Sequence, residues 1–201
     1  ALGPAYIKFG QILSTRPDVV GDELAAQLRV LQDKLPPFPM EEAQRMIEAE
    51  LEQPLTSIFH SFSAPVAAAS IAQVHRAKLV SNGKDVAVKV LRPGIEQAFR
   101  KDIDAFYFAA RMVEVLAPGA RRLRPLDVIA HFEGVVLGEL DLRLESSAAG
   151  EFAANTNSDE GFQLPQINWS LSGKNVMTMD WAEGIPAGDN AALDAAGHDR
   201  R

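Results

Sequence analysis

The run Asp85-Val86-Ala87-Val88-Lys89-Val90-Leu91 constrains this chain more than any other stretch. Val86, Val88 and Val90 alternate with Ala87, Lys89 and Leu91, a period-2 pattern rich in β-branched residues that reads as a strand. An ammonium buried unpaired in so apolar a strand would cost on the order of several kcal/mol. Lys89 therefore either snorkels to the surface or points at a fixed anion, a carboxylate or a phosphate. The rest of the chain has to accommodate one of these two outcomes.

Ahead of this strand, residues 1–54 read as helical. Leu2, Ala5, Tyr6, Phe9, Ile12 and Leu13 form an apolar stripe at helical spacing, with Lys8 and Gln11 one turn apart on a common face. Pro17 breaks this helix. A second helix is expected from about Asp22 on a stripe of Leu24, Leu28 and Leu31, and Leu35-Pro36-Pro37-Phe38-Pro39 is a stiff connector. A third helix carries Glu41 and Glu42 in its first turn, where the helix dipole favours acids, buries Ala43, Met46, Ile47 and Leu51, and ends at Pro54.

Residues 57–91 change period. Ile58, Phe59 and Phe62 suggest a short strand, Ala67-Ala68-Ala69-Ser70 a tight loop of small residues, and Ile71–Leu79 a second, alternating strand. Asn82-Gly83 is a hairpin-turn signal leading into the Lys89 strand, which makes an antiparallel meander of three strands. Ala98, Ile103, Phe106, Ala110, Val113 and Leu116 then suit one helix, ended by Pro118-Gly119. A long helix is expected from Pro125 to about Ala154. Gly134, Gly138 and Gly150 either weaken it by about 1 kcal/mol each relative to alanine or let another helix approach closely. Leu164–Trp169 and Asn175–Trp181 are two further strand candidates around a turn at Ser172-Gly173, and the tail from Ala182 is loop or weak helix.

Composition excludes several function classes. A net charge of −7 argues against nucleic acid as the main partner, and the basic run Arg121-Arg122-Leu123-Arg124 reads as a solvated loop or helix start. With no cysteine there is no disulfide and no thiol chemistry. His60, His75, His131 and His198 are scattered and make no metal-ligand spacing. No apolar run approaches the length of a membrane span, and no signal peptide is visible. The chain opens on Ala1 and ends in polar sequence, so a fragment at both ends is expected.

The order strand, small-residue loop, strand, hairpin, lysine strand, acidic helix, two strands is that of a protein-kinase N-lobe. Val86-Ala87-Val88-Lys89 matches the kinase strand whose lysine holds nucleotide phosphates and pairs with a helix glutamate. Lys8-Phe9-Gly10-Gln11 looks like a K-x-G-Q motif, Ala67-Ala68-Ala69-Ser70 like an alanine-rich loop, and Glu139-Leu140-Asp141 like an E-x-D motif. Together these resemble the UbiB/ADCK atypical kinase-like family over nearly the whole chain. The fold the resemblance implies is α+β. It comprises a kinase-like N-lobe, with about five antiparallel strands and a long αC-like helix, behind an N-terminal helical extension, without the C-lobe. The implied domains are 1–54 for the extension, 55–182 for the N-lobe with a helical insert near 94–118, and 183–201 for a tail after the hinge.

By the same resemblance Glu145 is the helix partner of Lys89. Ala67, Ala68, Ala69, Ser70, Lys89, Met179, Asp180 and Ala182 meet adenine nucleotide, with Met179 as gatekeeper and the Asp180–Ala182 backbone at the adenine edge. Alanines in the loop keep the backbone donors of a glycine-rich loop but stiffen it. Lys8, Gly10 and Gln11 are expected to fold over the cleft mouth against Glu139 and Asp141, closing it to protein substrates. Two like charges so close need a cation, which Lys8 supplies, while the Gln11 amide donates to the remaining oxygen.

No H-R-D-like loop or Asp-Phe-Gly triplet is present. His198-Asp199-Arg200 is a permutation lacking the following asparagine, so no metal ligand is assigned in this chain. ATP or ADP is the expected ligand, bound weakly by this chain alone, with Mg2+ joining only through the missing C-lobe. Ubiquinone biosynthesis is the implied role, with prenylated quinone precursors or other biosynthetic enzymes as partners. The implied location is the cytoplasmic side of a bacterial inner membrane, or the matrix side in mitochondria, with no membrane contact encoded here. The alternative is a non-catalytic, pseudokinase-like or lipid-binding scaffold.

Overall fold

Strand alternation builds the centre of the molecule, whose computed structural model describes residues 3–28, 36–185 and 187–197. Four antiparallel strands lie in chain order: β1 (Phe59–Ala68), β2 (Ala72–Leu79), β3 (Asp85–Leu91) and β4 (Val176–Asp180). The β2–β3 hairpin turns at Gly83, whose φ of 70° suits glycine, and Asn82 Oδ1 accepts the Lys84 N–H. In register, Val74 faces Lys89 and Lys89 faces Met177, while Ala87 faces Met179. These residues therefore share one face of the sheet.

The opposite face is closed by α4 (Met40–Leu51) and α5 (Leu55–Ile58). Ala43 and Ile47 of α4 pack with Phe38, Ala77, Leu79, Val86, Val88, Val90 and Val176, all buried. Fully buried valines such as Val88 and Val90 contribute about 1.5–3 kcal/mol each by area. The Lys89 face meets a second core built on α6 (Ile95–Leu116), α7 (Pro125–Glu139) and the start of α8 (Leu142–Asn155).

The N-terminal segment folds as α1 (Pro4–Ser14), α2 (Pro17–Val20) and α3 (Asp22–Leu28), so Pro17 opens a new helix as well as ending one. The apolar stripe of α1 lies against α6 and α7. Tyr6 and Phe9 pack on Phe106, Phe9 also packs edge-on against Phe132, and Asp102 of α6 accepts the Ala5 N–H at the start of α1. On α3 the buried residue is Ala25, while Leu24 is exposed; Leu2, Leu31 and Leu35 lie outside the described residues. A short helix, α9 (Asn190–Ala195), follows β4, and His198-Asp199-Arg200 also lies outside the described residues.

Several expectations are corrected. The long helix from Pro125 is two helices. Asp141 takes the N-cap of α8, its carboxylate accepting the Arg143 N–H, and a good N-cap residue breaks the helix that would run through it. Gly134 and Gly138 approach nothing, whereas Gly150 lies against the Trp169 ring, where an added Cβ would stand 3.0 Å away. The buried stripe of α6 runs through Ile95, Phe99, Ile103 and Ala110, leaving Val113 and Leu116 exposed. The Leu164–Trp169 strand reduces to one bridge between Ile167 and Met179 and a 3-10 turn at Trp169–Leu171. Pro165 has no N–H to donate there, so the sheet has four named strands rather than five. Among the described residues no helix is long and apolar enough to cross a membrane.

Candidate nucleotide site

Lys89 lies mid-strand on β3, half-buried among apolar neighbours, and Glu145 lies on the first turn of α8. Their pairing is bidentate: Lys89 Nζ donates to Oε1 and to Oε2 of Glu145, both at 2.7 Å. The lysine resolves its desolvation with a fixed carboxylate, the second of the two outcomes its strand permits. Val74 and Met177 flank Lys89 in register, with Ala87 and Met179 in the next row, so the pair stands beside an apolar wall. Val74 and Ala87 were not singled out from the sequence, although their place follows from the same alternation that aims Lys89.

The alanine-rich segment is half strand and half turn. Ala67 and Ala68 pair with Val74 and Gln73 inside β1, and only Ala69-Ser70-Ile71 turn the chain, with the Ala69 N–H donated to Ala72 O at 2.8 Å. Irregular registers around Pro65 let this edge strand carry a proline as far as the turn. The turn is held by Arg92, which follows β3. Its Nε and Nη2 donate to Ala69 O at 3.1 and 3.0 Å, and Nη2 also donates to Pro36 O at 2.8 Å. Burial pushes the Arg92 guanidinium below its usual pKa, and the Phe38 ring lies under it. No pattern in the sequence marks Arg92, because its partner is a backbone oxygen of a distant turn.

Gln73 and His75, neighbours of the alanine-rich segment, point to the other face. The Gln73 side chain accepts the Phe38 N–H at 3.0 Å and lies 2.9 Å from His75 Nε2, and His75 Nδ1 lies 2.8 Å from Ser63 O. With the Gln73 amide donating to Nε2, the neutral ring carries its proton on Nδ1 and donates it to Ser63 O. Burial lowers the His75 pKa below its ordinary value, opposed by the bond to Ser63. These two residues fix β1 and the Phe38 connector rather than facing Lys89.

At the end of β4, the Asp180 N–H is donated to Gln166 O at 3.0 Å and the Trp181 N–H to Asp85 O at 3.2 Å. Arg76 stacks over the Trp181 ring and pairs with Asp85 and Glu183. Of the expected adenine-edge residues, Asp180 is thus engaged through its N–H, and Ala182 follows the pinned Trp181.

Lys8 of α1 pairs with Glu139 at the end of α7, Nζ to Oε2 at 2.5 Å. Gln11, one turn on, receives the Ser70 hydroxyl at 3.5 Å, and Gly10 between them is buried. The helix thus touches both the alanine-rich turn and the E-x-D segment. The second acid behaves differently from expectation. Asp141 takes a bidentate ion pair from Arg143, at 2.8 and 2.5 Å, while capping α8. The Arg143 hydrogen bonds hold the Asp141 carboxyl below the usual carboxylate range against the opposing effect of desolvation. A guanidinium two residues away reaches Asp141 at a smaller entropic cost than a lysine from another helix.

Similarity in sequence to known proteins bears on this arrangement. The family model for the ABC1 atypical kinase-like domain matches residues 30–201. A protein named "Probable protein kinase UbiB" from Marinobacter nauticus is 43% identical over all 201 residues, which cover 37% of its own length. A protein of the same name from Shewanella baltica is 44% identical over 197 residues, covering 36% of its length, and one from Vibrio cholerae is 43% identical over the same span. The chain therefore spans little more than a third of these bacterial relatives.

Proposed function

The chain belongs to the ABC1 atypical kinase-like family, within its UbiB/ADCK group, and on that premise we propose that it forms the nucleotide-holding half of an atypical kinase or ATPase supporting ubiquinone biosynthesis. The observation that carries this reading is the bidentate Lys89–Glu145 pair beside the apolar row of Val74, Ala87, Met177 and Met179. In this reading adenine of ATP or ADP lies on that row, against Met179 and the Ala182 backbone. Lys89, held by Glu145, meets the phosphates, and the Ala69-Ser70 turn covers them. An ammonium already fixed by a carboxylate needs no reorganisation when the phosphates arrive, which is how charge stabilisation is made effective in such sites.

Lys8, Gly10 and Gln11 close the mouth of the cleft through Glu139 and Ser70, with Asp141 fixing the start of α8. A closed mouth favours a small molecule, a lipid such as a prenylated quinone precursor, or ATP hydrolysis itself over a protein substrate. Mg2+ accompanies the nucleotide; the aspartate and asparagine side chains that hold it in kinases are assigned to parts of the longer protein. In this reading the longer protein works at the cytoplasmic face of a bacterial inner membrane.

Titration of ATP and ADP onto the 201-residue chain, with and without Mg2+, tests the reading. Weak binding that is insensitive to Mg2+ and competes between the two nucleotides is the expected result. Absence of any nucleotide binding refutes it. Tight, Mg2+-dependent binding by this chain alone would mean that metal ligands lie within it.

A further inference from the structure

The Lys89–Glu145 pair is assembled from a strand and a helix start whose backbones share no hydrogen bond among the described residues. Both are instead bonded to one two-residue stretch. Lys174 O accepts the N–H of Leu142, the first residue of α8, at 2.9 Å, and Asn175 O accepts the N–H of Leu91, two residues beyond Lys89, at 3.0 Å. The Lys174-Asn175 stretch is in turn gripped by one carboxylate, that of Glu50 in the last turn of α4. Glu50 Oε1 accepts the Lys174 N–H at 2.5 Å, and Oε2 accepts from Asn175 Nδ2 at 2.8 Å. The preceding residue is built for that approach. Gly173 donates its N–H to Val176 O at 2.7 Å, and a Cβ at this position would stand 2.1 Å from Glu50 Oε1.

We infer that Glu50 is a positioning residue for the nucleotide site. Through the Lys174-Asn175 backbone it sets the distance between the Lys89 strand and the Glu145 helix. The inference rests on the reading of that pair as the phosphate-holding centre. Glu50 belongs to the helix packed on the far face of the sheet, so the far side of the lobe is mechanically joined to the cleft. A carboxylate suits the task because it accepts two hydrogen bonds at once, and charge-assisted bonds to backbone donors are stronger than neutral ones. The Lys174 side chain takes no part: its ammonium pairs with Glu96 of α6 at 2.7 Å.

Glu50→Ala, Glu50→Gln, Gly173→Ala and Glu96→Ala in the 201-residue chain test this, with three readouts: amide hydrogen exchange at Leu91 and at Leu142–Ser146, ATP titration, and urea unfolding. Exchange at Leu91 and Leu142 should rise about tenfold in Glu50→Ala and Gly173→Ala, with ATP affinity falling about five- to tenfold. Glu50→Gln, which keeps one acceptor oxygen, should lie between these and the parent. Glu96→Ala should leave exchange at both amides and ATP affinity as in the parent, because it removes only the side-chain ion pair. Glu50→Ala that lowers the urea midpoint but binds ATP like the parent, with Leu91 and Leu142 still protected, overturns the inference. So does Glu96→Ala that weakens ATP binding as much as Glu50→Ala. If the parent chain binds no ATP, the functional reading fails, and exchange at the two amides decides the brace by itself. Should Gly173→Ala not fold, Glu50→Gln carries the comparison.

Discussion

Lys89 and Glu145 stand 56 residues apart in the chain and meet with both carboxylate oxygens 2.7 Å from the ammonium. The glutamate remains substantially exposed, its side chain at 45% of full accessibility. Ion pairs in contact with water contribute about 0–1 kcal/mol to folding, so this one does little to hold the lobe together. Lys89→Ala and Glu145→Gln should each lower the unfolding free energy by no more than about 1 kcal/mol, read from urea denaturation, while ATP affinity falls tenfold or more. Loss of stability in step with loss of binding would mean that the pair is a structural bridge.

The pair of Lys8 with Glu139 joins two helices that have no covalent neighbour in common. A double-mutant cycle of Lys8→Ala and Glu139→Ala, measured by urea unfolding, should give a coupling of about 0.5–1 kcal/mol that shrinks as salt is raised. Exchanging the two charges should retain part of that coupling. A coupling of zero at low salt would leave the aromatic contacts of Tyr6 and Phe9, the Ala5–Asp102 bond and the Gln11–Ser70 contact as what holds α1 in place.

His75 gives the lobe a dependence on pH. Burial holds its folded-state pKa below the ordinary imidazole value, so between the two values the unfolded chain binds more protons than the native one. The stability associated with the neutral ring is therefore full above about pH 6.5 and is lost as the pH falls through the lower native value. Protonation would also set a ring N–H against the Gln73 amide. Urea midpoints measured between about pH 7 and pH 5 should decline in the parent and decline less steeply in His75→Gln. Parallel slopes would assign the dependence to other groups.

Gly134 sits inside α7 at an exposed position, with ordinary helical backbone and nothing within reach of an added Cβ. Replacing it by alanine should stabilise the chain by about 0.5–1 kcal/mol through helix propensity and a less flexible unfolded state. Gly150→Ala should gain less or lose, because Trp169 must yield to it. Thermal unfolding of the two variants side by side makes the comparison.

What could be read from sequence follows the range of the forces involved. The alternation of Val86, Val88 and Val90 is local; it sets Lys89 on one face and leaves it either the surface or a fixed anion, and the structure places the Glu145 carboxylate there. The 3–4 spacing around Lys8 and Gln11 likewise required an apolar partner for α1, which Phe106 and Phe132 supply. The interruption at Asp141 was less legible, since a helix-compatible stretch and an N-cap compete and the outcome turns on the nearby Arg143. The same contact took Asp141 from the role expected of it beside Lys8. Arg92 and Glu50 left no trace in periodicity because each acts on backbone groups far along the chain, 23 residues away for Arg92 and Ala69, and 124 for Glu50 and Lys174. The second core was read in part: the α6 stripe was shifted by one position at Ala98, where Phe99 is the buried residue.

Lys8, Phe9 and Gln11 occupy a single turn of α1, and each is attached at a different place: the end of α7, the Phe106–Phe132 aromatic pair between α6 and α7, and the turn at Ser70. Contacts on one rigid turn are not lost one at a time. When any one of them parts, the other two keep its ends at a high effective concentration, so it re-forms before the helix can swing away. Detachment of α1 therefore requires these contacts, together with those of Ala5 to Asp102 and Tyr6 to Phe106, to be released at once, so the helix is held as a unit rather than as a flap that drifts. A ligand that competes for any single contact therefore loosens α1 only slightly.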